Sequence, residues 1–387
     1  MSVILFIYLL AALFSFFVVG CLLGAVFSQR FREALVEVFT GRRDLLLART
    51  YCNPILTPGG TPWTAEAVLN PAAIVLGGRT HLIYRAIGMD GVSRLGYASS
   101  PNGIVFDDQP PYPIYFAERP QRVPGPARTY SPVMYPSGGS WGGCEDPRMV
   151  AIDGRVYLTY NAFDGWDYIR VALTSISEED FSNKHWQWAA PKLLSRAGER
   201  HKNWVLFPEK IGGKFALLHS LHSEEADQVC IEYIADLEAF DPTKDGFHSP
   251  YHDASPAHHA AWHTHVRSAG PPPIRTPLGW LVLYHAMSEG EGHRYKLGAM
   301  LLDLDDPTKV LHRAVAPVLS PDEPYENHGK PGIIYSCGAV VRGDMLYVYY
   351  GGADKVVCVA TAALTPFLTA LIKGHRAALS PISTRSR

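Results

Sequence analysis

The feature that most constrains this chain is one hairpin written five times. The segments are NPAAIVLGGRTHLIYRA (70–86), EDPRMVAIDGRVYLTYNA (145–162), NWVLFPEKIGGKFALLHS (203–220), AGPPPIRTPLGWLVLYHA (269–286) and CGAVVRGDMLYVYYGG (337–352). Each joins two apolar strands through a turn containing Gly78, Gly154, Gly213, Gly279 or Gly343. Such a unit is a β-hairpin. The turn glycines lie far enough apart to leave room for a second hairpin in each repeat, such as RLGYASSPNGIVF (94–106). About four strands per repeat, five times over, predicts an all-β chain folded as a five-bladed β-propeller. A two-sheet sandwich is the alternative, but it gives no reason for five copies of one hairpin. The abundance of Gly (34), Pro (30) and Tyr (20) fits strands and turns, and helical periodicity is scarce after residue 50.

Two classes of partner are set aside early. A net charge of −2 over 387 residues argues against a nucleic acid held through its phosphates. The six cysteines, Cys21, Cys52, Cys144, Cys230, Cys337 and Cys358, are scattered without a CxxC spacing and read as reduced core thiols.

Residues 3–27 carry no charge, and at this length an apolar stretch can cross a bilayer as a helix. A cleaved signal peptide is the competing reading, yet no Lys or Arg precedes the stretch. Arg30, Arg32, Arg42, Arg43 and Arg49 follow it, which places the bulk of the chain in the cytoplasm of a single-pass membrane protein. The expected organisation is a transmembrane helix over 1–28, an amphipathic juxtamembrane linker over 29–50, the propeller over 51–365 and a tail over 366–387.

In a hairpin, the first residue of one strand and the last of the next share an edge. If these are the inner hairpins of a propeller, five such edges ring one mouth of the channel. The residues brought there are Asn70 with Arg85, Asp146 with Asn161, Asn203 with Ser220, Arg267 with His285, and Asp354 just past the last strand. Singly, each has a plain reading as a turn or solvated residue. Polarity at the same edge of every repeat instead describes a wet, concave pocket suited to a sugar. Glu145 and Asp146 are neighbours, and strand alternation lets only one of them face inward. One inward carboxylate is too few for a glycosidase that works with two. It is enough if the nucleophile brings its own charge, as phosphate does, with Lys202, Arg267 and His285 as cations to hold it. The histidine-rich HDASPAHHAAWHTH (252–265) has no metal-ligand spacing and reads as rim, so no metal is expected.

These residues resemble glycoside hydrolase family 130, the β-mannoside phosphorylases and related mannosidases. The matching stretches are NPA (70–72) with YRA (84–86), GCEDPR (143–148), KNWVLFPEKIGGK (202–214), AGPPPIRTPLGWLVLYHA (269–286), LLDLDDPTKVL (301–311) and YYGGAD (349–354). The resemblance implies a five-bladed propeller in which Asp146 is the catalytic acid. It implies that Asp146 protonates the glycosidic oxygen through a mannose hydroxyl while phosphate attacks the anomeric carbon from the other face and inverts it. By the same resemblance Asn70, Arg85 and Asp354 hold the sugar, joined at the edge by Asn161, and Lys202, Asn203, Arg267 and His285 bind phosphate. No cofactor is implied beyond inorganic phosphate as co-substrate; the other partner is a β-mannoside. The chain departs from the family pattern at LLHS, where Ser220 replaces an Arg, and at Arg267, where Lys is usual. Hydrolysis, mannosyl transfer, and binding without catalysis therefore stay open.

Overall fold

The computed structural model describes residues 14, 15, 20, 47–116, 128–221, 228–244, 258–259, 262–292, 294–374 and 380–381. The chain divides into two units, Met1–Leu45 and Leu46–Arg387. Within the first, the described residues Phe14, Ser15 and Gly20 are helical. The expected transmembrane helix over 1–28 and most of the linker over 29–50 fall outside the described residues. Among the described residues no helix is long and apolar enough to cross a membrane. The expected single-pass membrane placement with a cytoplasmic catalytic domain is corrected accordingly.

The second unit is all-β, and the five sequence repeats are five antiparallel hairpins. The first pairs Ala67–Leu76 with Arg79–Ile87, the second Gly142–Ile152 with Arg155–Phe163, and the third Val205–Leu206 with Phe215–Ser220. The fourth pairs His265–Ala269 and Ile274–Thr276 with Gly279–Met287, and the fifth Ile334–Arg342 with Met345–Gly352. Tight registers such as Leu76 opposite Arg79 leave two turn residues, Gly77 and Gly78, at φ 55° and 77°. Asp153–Gly154 and Gly212–Gly213 repeat that pair of positive angles, which matches the right-handed twist of the strands. Gly279 is different: Thr276 pairs with it, so Pro277 and Leu278 make the turn and Gly279 opens the next strand. There its φ is 144° and an added Cβ would meet the Leu302 carbonyl at 2.4 Å.

Each hairpin takes a third antiparallel strand: Val92–Ser100, Ile169–Ser177, Cys230–Ile234, Lys296–Leu302 and Val356–Ala363. A fourth follows in three repeats, as Lys192–Leu193, Val310–Arg313 and Ala48–Arg49. In the first repeat single bridges, Leu95 to Tyr115 and Ser99 to Asp108, take that place. A short parallel pairing of Val92 and Ser93 with Gly142 and Gly143 fuses the first two repeats into one seven-stranded sheet.

The inner strands are buried on both faces, which explains why they read as continuous apolar runs; Ala67–Leu76 is buried at its first eight positions. Apolar clusters join the first four repeats in turn and the fifth to the first. Ile83 and Tyr97 pack with Met149 and Leu158, Tyr157 with Phe215 and Leu217, and Ala216 with Trp280 and Val282. Leu82 and Tyr84 of the first hairpin pack with Val340 and Tyr349 of the fifth. Among the described residues no disulfide is formed.

Both expected domain edges meet structure. Ala48 and Arg49, placed in the linker by sequence, pair with Thr361 and Ala360. Helix Leu364–Lys373 straddles the boundary at 365 and buries Phe367, Leu368 and Leu371.

Candidate active site

A polar cavity of about 210 Å³ opens where the hairpin edges converge. Seven of the nine expected residues line it: Asn70, Arg85, Asp146, Lys202, Asn203, Arg267 and Asp354. Four of these share a backbone trait. Asn70, Asp146, Asn203 and Asp354 lie at φ 48°, 49°, 65° and 52°, the left-handed region that Asn and Asp tolerate best among side-chain-bearing residues. Asn70 and Asp146 each precede a proline and sit in a register shift, between Leu69 and Ala72 and between Glu145 and Arg148. These bulges re-aim the side chains and break the strand alternation.

At the second hairpin only Asp146 of the two adjacent carboxylates lines the cavity, yet both meet one guanidinium. Arg85 Nη2 donates to Glu145 Oε1 at 2.8 Å, and Arg85 Nη1 donates to Asp146 Oδ1 at 3.2 Å. Glu145 is fully buried behind the cavity wall, where its other oxygen accepts from Lys202 Nζ at 3.0 Å and from Ser137 Oγ at 2.7 Å. Asp146 faces the cavity and also accepts from Asn70 Nδ2 at 2.7 Å. Burial alone would raise the Asp146 carboxyl, but Arg85, Lys202, Arg148 and the Asn70 amide hold it below the ordinary range. Asp354 goes the other way: burial pushes it up, helped by Asp146 and opposed by Lys330 and Arg85.

Arg148 and Asn161 act on the wall rather than in the cavity. Arg148 Nη1 donates to the Asp146 carbonyl and to Asn203 Oδ1, both at 2.8 Å. Asn161 Nδ2 donates to Asn203 Oδ1 at 2.9 Å, and its Oδ1 accepts from the Asn203 N–H at 2.9 Å. Asn161, expected to touch sugar, instead fastens Asn203.

His285 does not fit the expected role of a phosphate-holding cation. It is fully buried beneath Tyr335, whose ring stacks on it at 3.9 Å and lines the cavity in its place. Its Nε2 accepts from the Ser336 N–H at 2.9 Å, so that nitrogen carries no proton. Burial and nearby Arg148 depress it to about 3, so the ring is neutral near neutral pH.

Lys202 and Arg267 do reach the cavity. The Lys202 ammonium lies over the rings of Phe163 and Trp166, at 4.9 and 4.7 Å. Arg267 Nε donates to Tyr295 Oη at 3.1 Å. Next to them a side chamber of about 20 Å³ is lined by Ser220, His219, Lys202, Asn203 and Arg267. Ser220 itself is buried. Sequence reasoning missed the rest of the lining, whose polar and aromatic members are Ser137, Trp166, Tyr295, Lys330 and Tyr335. None belongs to a hairpin edge except Tyr335, two residues before the fifth segment. In the 252–265 stretch, the described His263 is buried and within 3.2 Å of the Tyr284 hydroxyl, while residues 252–257, 260 and 261 fall outside the described residues.

An all-β scaffold that brings carboxylates, amides and guanidinium groups into one wet cavity is suited to a carbohydrate-active enzyme. The chain belongs to glycoside hydrolase family 130, described as β-1,4-mannooligosaccharide phosphorylase, which it matches over residues 53–371. It is 36% identical over 326 residues to a 1,2-β-oligomannan phosphorylase of Thermoanaerobacter sp. (strain X514), covering 81% of this chain and 96% of that one. A β-1,2-mannobiose phosphorylase of the same strain is 33% identical over 331 residues, at 81% and 96% coverage. Among solved structures, a glycosyl hydrolase from Bacteroides ovatus superposes with a TM-score of 0.62 at 22% identity, covering 82% of this chain and 94% of that one. The β-1,2-mannobiose phosphorylase of Listeria innocua, complexed with β-1,2-mannobiose, does so at 0.59 and 23% identity, covering 84% and 99%.

Proposed function

We propose that this chain is an inverting β-mannoside phosphorylase, which cleaves β-mannosidic bonds with inorganic phosphate and releases α-mannose 1-phosphate. The observation that carries the reading is the charge of the cavity. Arg85, Lys202, Arg267 and Lys330 line it against the carboxylates Asp146 and Asp354. Of these, Lys202 and Arg267 also border the side chamber, and two cations at one end of the cavity favour an anionic ligand such as a phosphate dianion. Mannoside phosphorylases among the relatives, aligned along most of both chains, support the same chemistry.

In this reading Asn70, Arg85 and Asp354 hold the mannose, and Lys202, Asn203 and Arg267 hold phosphate. Asp146 supplies the proton for the leaving oxygen through a mannose hydroxyl, while phosphate attacks the opposite face of the anomeric carbon. The free chain keeps Asp146 ionised, so the proton must arrive with the ligands. Phosphate beside Lys202 offsets one of the charges that depress Asp146 and restores its affinity for a proton. The five hairpins are then the inner strands of five propeller blades around the cavity. Apolar clusters link the first four repeats in turn and the fifth to the first, and His285 bonds the fourth to the fifth, which supports that arrangement. The catalytic domain runs over 51–365, extended by Ala48–Arg49 and by helix Leu364–Lys373.

One observation favours hydrolysis as the second reading. Asp354 and Asp146 are displaced in opposite directions, as in a separated acid and base, and Ser220 takes a cation from the anion end. The test is incubation with β-mannobioses of different linkage, with and without phosphate, scored for mannose 1-phosphate against mannose. Wild-type turnover should require phosphate. Asp146→Asn should lose about 10²–10⁴-fold in kcat, the usual cost of a missing general acid. Free mannose released at a rate indifferent to phosphate would replace the phosphorylase reading with the mannosidase one.

A further inference from the structure

Lys330 is a cavity residue that no hairpin edge or motif indicated, and its surroundings are built with care. It follows the one-turn helix Pro324–Glu326, whose start carries a reciprocal capping box between Glu323 and Glu326. Asn327 then ties the loop to itself: its Nδ2 donates to the Pro321 and Glu323 carbonyls, and its Oδ1 accepts from the Gly332 N–H. The Lys330 N–H donates to the Ala353 carbonyl at 2.8 Å, which seats the loop beside Asp354.

From that seat the Lys330 ammonium makes two contacts. It donates to the Pro136 carbonyl at 2.9 Å and lies 3.6 Å from Asp354 Oδ2. The first reaches the segment 131–140, whose next residue, Ser137, is held from below by Arg85 and Lys202. Pro136, Ser137 and Gly138 all line the cavity, so the segment is pinned over it from two sides. The second contact sets a cation beside an anion at the cavity edge. An ammonium has three protons, and with two directed at Pro136 and Asp354 the third is available to a ligand. A spacing of 3.6 Å between Nζ and Oδ2 suits two neighbouring ring hydroxyls, one accepting from Lys330 and the other donating to Asp354.

We propose that Lys330 contacts the bound mannose and sets its recognition, forming with Asp354 a donor–acceptor pair for two adjacent hydroxyls while clasping the 131–140 segment over the ring. This rests on reading the cavity as a mannoside site. Lys330 also opposes the upward push that burial gives the Asp354 carboxyl, alongside Arg85 and against Asp146, with the Tyr130 hydroxyl nearby.

The test uses the full chain with Lys330→Met, which keeps the length and removes the donor, and Lys330→Arg, which restores a cation. Calorimetric binding of β-mannobiose without phosphate should weaken about ten- to a hundredfold in Lys330→Met, the loss of one charge-assisted hydrogen bond, and recover most of the way in Lys330→Arg. The KM for phosphate should stay within about twofold, and the acid limb of kcat/KM for the mannoside should move to higher pH as Asp354 loses the cation that opposes burial. Unchanged mannobiose binding, or a phosphate KM that moves while mannobiose binding does not, overturns the proposal. The calorimetric arm contains no phosphate, so it judges Lys330 even if wild-type turnover proves independent of phosphate.

Discussion

At the scale of residues, the site is built on backbone that few side chains accept. Left-handed φ at Asn70, Asp146, Asn203 and Asp354 explains why Asn or Asp stands at each, and two of the four also precede a proline. The polar edge was legible because hairpin geometry alone brings strand ends together. The bulges were not, because a register shift leaves no period in the sequence, and so Glu145 was set aside although it anchors both Arg85 and Lys202. His285 misled for a related reason: its position at a strand end suggested exposure, while Tyr335 from the next hairpin covers it. The acceptor question also belongs to this scale. Lys202 and Arg267 line both the cavity and the side chamber, so in the proposed reading both are placed to take a phosphate. Arg267→Ala should raise the KM for phosphate about ten- to a hundredfold with little change for the mannoside. Ser220→Arg should lower it by adding a cation at the side chamber. Initial rates across a phosphate series measure both, and unmoved values in both variants would remove Arg267 from the anion end.

At the scale of elements, His285 joins the fourth hairpin to the fifth. It leaves strand Gly279–Met287 to accept from the N–H of Ser336 in strand Ile334–Arg342, with Ser268 3.3 Å from its other nitrogen. Only the neutral ring can accept that bond. Its folded value of about 3 lies below the ordinary 6.5, so the unfolded chain binds the extra proton. The stability this contributes is present above pH about 6.5 and is lost as pH falls toward 3, at up to about 1.4 kcal/mol per pH unit. Urea midpoints between pH 7 and 4 should fall accordingly, and His285→Gln should flatten the slope by one proton. A variant whose midpoint falls as steeply as wild type would show that His285 does not set this dependence. The hairpins were legible because each carries its turn residues and two apolar strands. The outer strands were harder to read: Lys192–Leu193 and Ala48–Arg49 are two residues long and owe their form to the sheet they join.

At the scale of the whole molecule, the first strand of the second unit is tied to the loop before the fifth hairpin by an ion pair whose carboxylate is buried. Arg49 donates to Glu326 through Nε at 2.7 Å and Nη2 at 2.9 Å, and also to the Ser320 carbonyl, while the Tyr350 hydroxyl donates to the same carboxylate at 2.8 Å. Glu326 is fully buried, so losing Arg49 strands a charge. Arg49→Met should cost about 3–5 kcal/mol of stability, and adding Glu326→Gln should recover a large part of it. Denaturant unfolding of both variants measures this, and a loss that the second substitution does not relieve would point to packing instead. Sequence reading took this stretch for a membrane-side linker because its arginines were counted as surface charge. The pairing of Ala48 and Arg49 with Thr361 and Ala360 has a consequence for biosynthesis. A ribosome releases this strand before all five hairpins and its partner only after them, so the early strand must wait, unpaired, while they emerge. A nascent chain stopped before Val356 would hold Arg49 without its sheet, and quality control would meet it as an open edge rather than a finished protein.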